Sequence, residues 1–398
     1  MADKKDDIVL SIRGMSKSFG RNRVLDHINL DVKRGTVMGL MGENGAGKST
    51  MMKCLFGTYQ KDEGNIFLNG KEVSFSGPKD ALENGIAMVH QELNQCLERN
   101  VIDNLFLGRY PVNSMGVIDE GRMKKEAAEL FRKLGMTVNL TQPMGRMSVS
   151  QRQMCEIAKA ISYNSRVIVL DEPTSSLTDN EVEALFRIVR DLRDRGVSLI
   201  YISHKMAEIR EIADDITIIR DGQWIETGLA TDYNPDKLVA RMVGREITNV
   251  FPKDTTVPIG DVIFEVKELT QEKADGGRFR NINFQLRAGE ILGFAGLVGA
   301  GRSEVMRAIF GLDPISSGSV YLNGREVHIK NTRDAINYGI AMVNEDRRTY
   351  GLVLGRSIHH NVSLVNLKKY TKGLIDDRKI SKDVEKMREL LQIKIANE

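Results

Sequence analysis

The chain has 398 residues, 41% apolar and 28% charged, with a net charge of only +3. That length allows two or three domains with sizeable cores, and the interspersed charges argue against the dense basic face of a nucleic-acid binder. The start, MADKKDDIVL, is charged where a signal peptide is apolar, and no run of about 18 apolar residues is present to span a bilayer.

The first alternating stretch, IVLSIRGMSKSF (8–19), reads as a strand, and INLDV (28–32) as a second. Phe19, at the end of the first, is either a core aromatic or a ring that stacks on an adenine. The apolar run VMGLMG (37–42) reads as a buried strand leading into GENGAGKST (42–50). Gly42, Gly47, Lys48 and Ser49 meet the spacing G-x-x-x-x-G-K-[ST]. Glycines let backbone N–H groups turn toward an anion, and the helix expected from Ser49 to Phe56 offers its positive end to the same anion. The whole loop, Gly42, Glu43, Asn44, Gly45, Ala46, Gly47, Lys48, Ser49 and Thr50, is the expected nucleotide cradle. Lys48 is expected on the β- and γ-phosphates and Ser49 on Mg²⁺.

Gln91, in MVHQE after the apolar run GIAMV, is placed to sense both metal and water. The segment from Gln91 to Tyr110 carries Val101, Ile102, Leu105 and Phe106, an apolar set with i, i+4 spacing that suits either packing within the domain or docking of a partner helix. SVSQ (148–151) precedes the helical run RQMCEIAKAIS. Ser148 sits where a helix begins, which on spacing alone favours a plain cap over a phosphate contact. VIVLDE (167–172) reads as a buried parallel strand presenting two acids at its C-terminal end. Asp171 is then expected on Mg²⁺ and Glu172 on the attacking water. LIYISHK places His204 just past another apolar strand, within reach of a γ-phosphate. The three cysteines, Cys54, Cys96 and Cys155, are widely spaced without a CxxC pair and read as reduced thiols.

The chain then repeats itself. GLVGAGRS (296–303) lies over GENGAGKS with an offset of 254 residues, from Gly42 to Gly296. At that offset FGLDPISSGSVYLNGREV lies over FGTYQKDEGNIFLNGKEV, and GIAMV recurs. VIFEVKELT, INFQL and ILGFAG then read as strands of a second copy, the last of them buried. Arg302 stands in place of Lys48, Glu304 in place of Thr50, and Lys273 in place of Phe19. A planar guanidinium does not simply replace a compact ammonium in a tight loop, so weaker binding or poor turnover is expected there. Glu398 falls over Met144 at this offset, so nothing after Met144 has a counterpart. A polar stretch with two prolines at 245–260 reads as the linker, with domains at 1–250 and 251–398.

In order, Phe19, GENGAGKST, Gln91, SVSQ, VIVLDE, SSLT at Ser175 and His204 resemble the A-loop, Walker A, Q-loop, signature, Walker B, D-loop and H-loop of the ATP-binding-cassette ATPases of membrane transporters. The resemblance implies an α/β P-loop NTPase cassette, with a parallel core sheet, an antiparallel β-subdomain and a helical subdomain, duplicated with an incomplete second copy. It also implies ATP and Mg²⁺ as cofactors. The metal set would be Ser49, Gln91 and Asp171, and Glu172, His204 and Gln91 would be catalytic. The signature residues Ser148, Ser150 and Gln151 would contact nucleotide. In the family two cassettes close head to tail over ATP, so the Gly42 loop would face a second signature that this chain lacks.

Two fused cassettes, with MVHQELN, LGRYP, CEIAKA, DEPTSSLT and YISHKM, resemble the carbohydrate importers, nearest the galactose/methyl-galactoside branch. Ribose and xylose importers are the competing branches. That likeness implies membrane permease subunits and an extracytoplasmic sugar-binding protein as partners, and a peripheral place on the cytoplasmic face of a bacterial inner membrane. No nucleic acid and no direct sugar binding are expected. The signature departs from the family's two adjacent glycines, with Val149 and Ser150 in their place. A soluble double-cassette ATPase acting on ribosomes or DNA is the alternative, which the absence of a Lys/Arg-rich insert at 245–260 disfavours. A regulatory module without turnover is a third reading, against which Glu172 argues.

Overall fold

A computed structural model describes residues 7–90, 93–175, 177–244, 257–272, 279–297, 299–344 and 350–393. The chain divides into two units, residues 1–250 and 251–398.

Unit 1 opens with a hairpin, β1 (Ile8–Phe19) and β2 (Asn22–Lys33). The second strand is far longer than INLDV because pairing with β1 continues down to the Phe19–Asn22 pair at the turn. β3 (Val37–Met41) and α1 (Lys48–Leu55) flank the glycine loop. A second hairpin, β4 (Glu63–Leu68) and β5 (Lys71–Val73), precedes α2 (Pro78–Glu83) and β6 (Ile86–Val89). Three helices follow: α3 (Val101–Phe106), α4 (Glu120–Lys133) and α5 (Val149–Ile161). Strand and helix then alternate through β7 (Val167–Asp171), α6 (Asp179–Asp194), β8 (Ser198–Ile202), α7 (Met206–Ile212) and β9 (Asp215–Arg220), ending in β10 (Gln223–Leu229) and α8 (Pro235–Val243).

The strands form one sheet in the order β5-β4-β1-β2-β10-β9-β3-β8-β7-β6. β6, β7, β8, β3 and β9 are parallel, whereas β1, β2, β4 and β5 pair antiparallel. Every residue of β3, β7 and β8 is buried. That explains their unbroken apolar runs: a parallel strand covered on both faces has no polar side to show in its sequence. The three helices α3, α4 and α5 share a separate core that includes Leu105, Phe106, Met123, Phe131 and Ala158. On α4 the buried Met123, Ala127 and Phe131 recur every four residues, which turns one stripe of an otherwise charged helix inward. Among the described residues no helix is long and apolar enough to cross a membrane.

Unit 2 contains β11 (Val262–Gln271), β12 (Phe279–Arg287), α9 (Arg302–Ile309), β13 (Ser317–Leu322), β14 (Arg325–Val327), α10 (Thr332–Asn337), α11 (Ile358–Leu364) and α12 (Asp377–Leu390). Its sheet, β12-β11-β13-β14, has the strand order of β2-β1-β4-β5. α9, β13, β14 and α10 begin 254 residues after α1, β4, β5 and α2, as the sequence offset requires. The starts of α11 and α12 instead lie 257 residues after those of α3 and α4, so the register steps by three between α10 and α11, while Glu398 itself lies outside the described residues.

One expectation fails in this unit. ILGFAG does not form a buried strand: its residues are outside any strand, and Ile291 is 98% exposed where its counterpart Val37 is 1% exposed. Val343 of the repeated GIAMV is likewise 97% exposed. The reason is pairing. β3 is held between β8 and β9, and β6 against β7. Among the described residues of unit 2 no strand pairs with either run, and an apolar run without a ladder cannot satisfy its backbone as a strand.

Candidate functional site

The parallel strands of unit 1 bring three chain segments together at their C-terminal ends. β3 ends at Met41 and runs into the glycine loop. β7 ends at Asp171, which pairs in register with Ile202 at the end of β8. The residues that follow, Glu172 and Ser203–His204, are therefore neighbours by register. Ligand sites gather at the C-terminal ends of such strands.

The loop is shaped by its glycines. A Cβ at Gly42 would lie 2.2 Å from the Ile219 carbonyl oxygen, and Gly47 caps α1 in the left-handed region with φ of 103°. Gly222 N–H donates to the Ala46 carbonyl at 3.1 Å, tying the β9–β10 turn to the loop. α1 opens with no side-chain cap and no acidic residue in its first turn, so its positive end is left for an anion.

Lys48 is 6% exposed, and its Nζ donates to the Gly42 and Glu43 carbonyls at 2.7 and 2.9 Å. Burial pulls its ammonium below the usual lysine range, while Glu172, Asp171 and Glu43 pull it back up. Ser49 Oγ donates to Asp171 Oδ2 at 3.3 Å. Burial pushes the Asp171 carboxyl above the ordinary carboxylate range, opposed by the Ser49 hydroxyl and reinforced by the neighbouring Glu172 charge. His204 Nδ1 lies 3.2 Å from Glu172 Oε1. Glu172 has φ of +47°, in the left-handed region, and its N–H donates to the Ile202 carbonyl at 3.0 Å. A non-glycine residue in that region carries strain of order 1 kcal/mol or more, a common mark of functional positions.

Gly42 to Thr50, Asp171, Glu172 and His204 are thus assembled together. The other expected residues are elsewhere or not described. Gln91 lies outside the described residues, as does Lys273 in unit 2. Phe19 ends β1 half-exposed, with its ring edge-on to Tyr59 at 5.1 Å and Lys17 Nζ 5.5 Å above it, and makes no ring contact with the loop among the described residues. SVSQ begins α5, where Ser148 Oγ accepts from Gln151 N–H at 3.2 Å and Ser148 N–H donates to Gln151 Oε1 at 3.1 Å. This reciprocal capping box is the plain cap that spacing favours. Ser150 Oγ sits 3.0 Å from Ser148 Oγ, and no hydrogen bond joins this segment to Gly42–Thr50 among the described residues. In unit 2 Arg302 is exposed, unlike the buried Lys48.

Sequence reasoning missed a group behind the site. Glu208 in α7 is buried and receives hydrogen bonds from Thr174, Tyr201 and Ser203. The sequence offers no signal for it beyond its place four residues after His204.

The donor set suits a nucleotide with a divalent cation. A cation and an uncapped helix start meet a phosphate, and a hydroxyl beside a carboxylate is the oxygen pair a hard cation takes. The comparisons agree with the nucleotide half of this reading. Residues 25–175 and 279–397 match the ABC transporter family. The galactose/methyl galactoside import ATP-binding protein of Treponema denticola is 52% identical over 89% of this chain and 71% of its own length. The protein of the same name from Escherichia coli is 47% identical over 87% of this chain and 68% of its own. A crystal structure of a nucleotide-free ATP-binding cassette from an ABC transporter superposes over 62% of this chain and all of its own, with a TM-score of 0.53 and 22% identity. An ADP-conformation cassette gives 0.51 over 59% of this chain. The fold is the ABC ATPase cassette, and the chain belongs to the ABC transporter family of nucleotide-binding ATPases.

Proposed function

We propose that this chain is the ATP-hydrolysing subunit that energises import of galactose or a methyl galactoside through membrane permease subunits. The observation that carries the catalytic half is the assembly of Lys48, Ser49, Asp171, Glu172 and His204 at the C-terminal ends of the parallel strands. The sugar is suggested by the names of relatives about half identical to it.

Lys48 and the loop N–H groups bind the β- and γ-phosphates, and Phe19 stacks on the base. Ser49 and Asp171 hold Mg²⁺, which when bound neutralises phosphate charge; Gln91 completes that set. Glu172 accepts a proton from the attacking water, and His204 fixes the carboxylate and faces the γ-phosphate. Ser148, Ser150 and Gln151 belong to a phosphate-facing edge that acts across a pair of cassettes. Residues 1–250 form a complete cassette and 251–398 the first part of a second. The chain works from the cytoplasmic face of the cell membrane, with an extracytoplasmic sugar-binding protein delivering the sugar.

The test is uptake of labelled methyl galactoside, galactose, ribose and xylose by cells lacking their own galactoside import ATPase and supplied with this protein. Restored galactoside uptake, lost again with Lys48→Ala, is expected. Restoration of ribose or xylose uptake alone overturns the choice of sugar.

A further inference from the structure

We infer that Glu208 is a positioning residue for hydrolysis: its buried carboxylate clamps together the two chain segments that carry Glu172 and His204. The inference rests on the roles proposed above for those two residues.

Glu208 is 7% exposed and belongs to α7, outside the nucleotide cradle. Four groups converge on it. Thr174 Oγ1 is 2.7 and 2.9 Å from its two oxygens, Tyr201 OH is at 3.0 Å and Ser203 Oγ at 3.1 Å. Lys205 Nζ is 3.0 Å from Oε1 and also donates to the Thr174 hydroxyl at 3.3 Å. Thr174, Tyr201 and Ser203 are themselves almost fully buried. A carboxylate is costly to bury unless its lone pairs are met by donors, and here three hydroxyls and an ammonium meet them.

The placement of those donors is what matters. Thr174 lies two residues after Glu172, and Ser203 and Lys205 flank His204. One carboxylate therefore fixes both arms of the Glu172–His204 pair from behind. Glu172 itself sits in the left-handed region. Such a backbone persists only where its surroundings over-determine it, and the bond from Glu172 N–H to Ile202 is one restraint. The Thr174–Glu208 bonds are a further one, on the far side of Pro173. Burial and the Glu208 charge hold the Tyr201 hydroxyl well above its ordinary range, so the phenol stays a donor to the clamp.

The test uses the full chain, in single-turnover ATP hydrolysis with protein in excess and in equilibrium binding of a fluorescent ATP analogue with Mg²⁺. The variants are Glu208→Gln, Thr174→Val, Glu172→Gln and the Glu172→Gln/Glu208→Gln double. Glu208→Gln keeps the volume but halves the acceptor capacity. It is expected to slow hydrolysis about 10–100-fold, the scale of a misplaced reacting group, with nucleotide affinity within about threefold. Thr174→Val removes one arm and keeps the carboxylate, and carries the same test if Glu208→Gln does not fold. The double variant is expected to lose no more than Glu172→Gln alone, because placing a base that is absent has no value. Losses that multiply in the double reveal a general structural defect and overturn the clamp. Unchanged rates in Glu208→Gln and Thr174→Val, beside a slow Glu172→Gln, overturn the clamp but leave the role of Glu172 standing. A Glu172→Gln variant at full rate overturns both.

Discussion

Ser49 Oγ and Asp171 Oδ2, 122 residues apart in sequence, lie 3.3 Å from each other at the start of α1 and the end of β7. The contact joins the helix after the glycine loop to the acidic strand end, and it is where the proposed divalent cation would be held.

The Glu172 carboxylate is the base in this reading. Glu172→Gln keeps its shape but cannot take a proton. Hydrolysis is expected to fall about 10²–10⁴-fold, the usual range for a general base, with ATP binding retained. Single-turnover rates and nucleotide titration on the same preparation check both halves.

The two glycine loops should behave unequally. Lys48 is buried and bonded to two loop carbonyls, whereas Arg302 is exposed. Lys48→Ala is expected to abolish tight ATP binding, and Arg302→Ala to leave turnover largely intact. Equal losses in the two variants, measured by nucleotide titration, would remove the distinction.

Phe106 is a poor probe of partner docking. It is 6% exposed and belongs to the core shared by α3, α4 and α5. Phe106→Ala is expected to cost about 3–5 kcal/mol of stability, read from denaturant unfolding. Leu107, at 44% exposure, is the better test: Leu107→Glu is expected to leave stability within about 0.5 kcal/mol and lower sugar uptake. Unchanged uptake in that variant would count against docking at this segment.

The thiols should separate cleanly. Burial raises Cys54 to about 11 and Cys155 to about 12, whereas Cys96 is exposed. The thiolate is the reactive form, so at neutral pH Cys96 is expected to alkylate first. For the buried pair the folded values lie above the unfolded value of 9.0. Their contribution to stability is therefore complete below pH 9 and is lost as pH rises toward 11 to 12. Timed alkylation read by mass spectrometry, repeated across that alkaline range, checks both statements.

The glycine loop and the acidic strand end were legible because their residue types are forced. Only glycine fits at Gly42 and Gly47, and a parallel strand buried on both faces must read as VIVL. The strand reading of ILGFAG failed because an apolar run names a candidate strand, not its partners. The end of β1 was legible as a strand, but the Phe19–Tyr59 contact was not, since it depends on how the chain turns after α1. Glu208 stayed invisible for another reason. In MAEIREI it is one charged residue among several, and only the β7–β8 register sets it against Thr174.

The uncovered ILGFAG stretch also bears on where a protease first cuts this chain. Ile291 in that stretch, with Leu297 just beyond it and Val343 in the second apolar run, presents the exposed apolar surface that chaperones hold and proteases cut. Unit 1, with β3 paired on both sides and β6 paired to β7, presents nothing comparable at β3 or β6. Cleavage should therefore begin in unit 2 and leave a resistant body near residues 1–250.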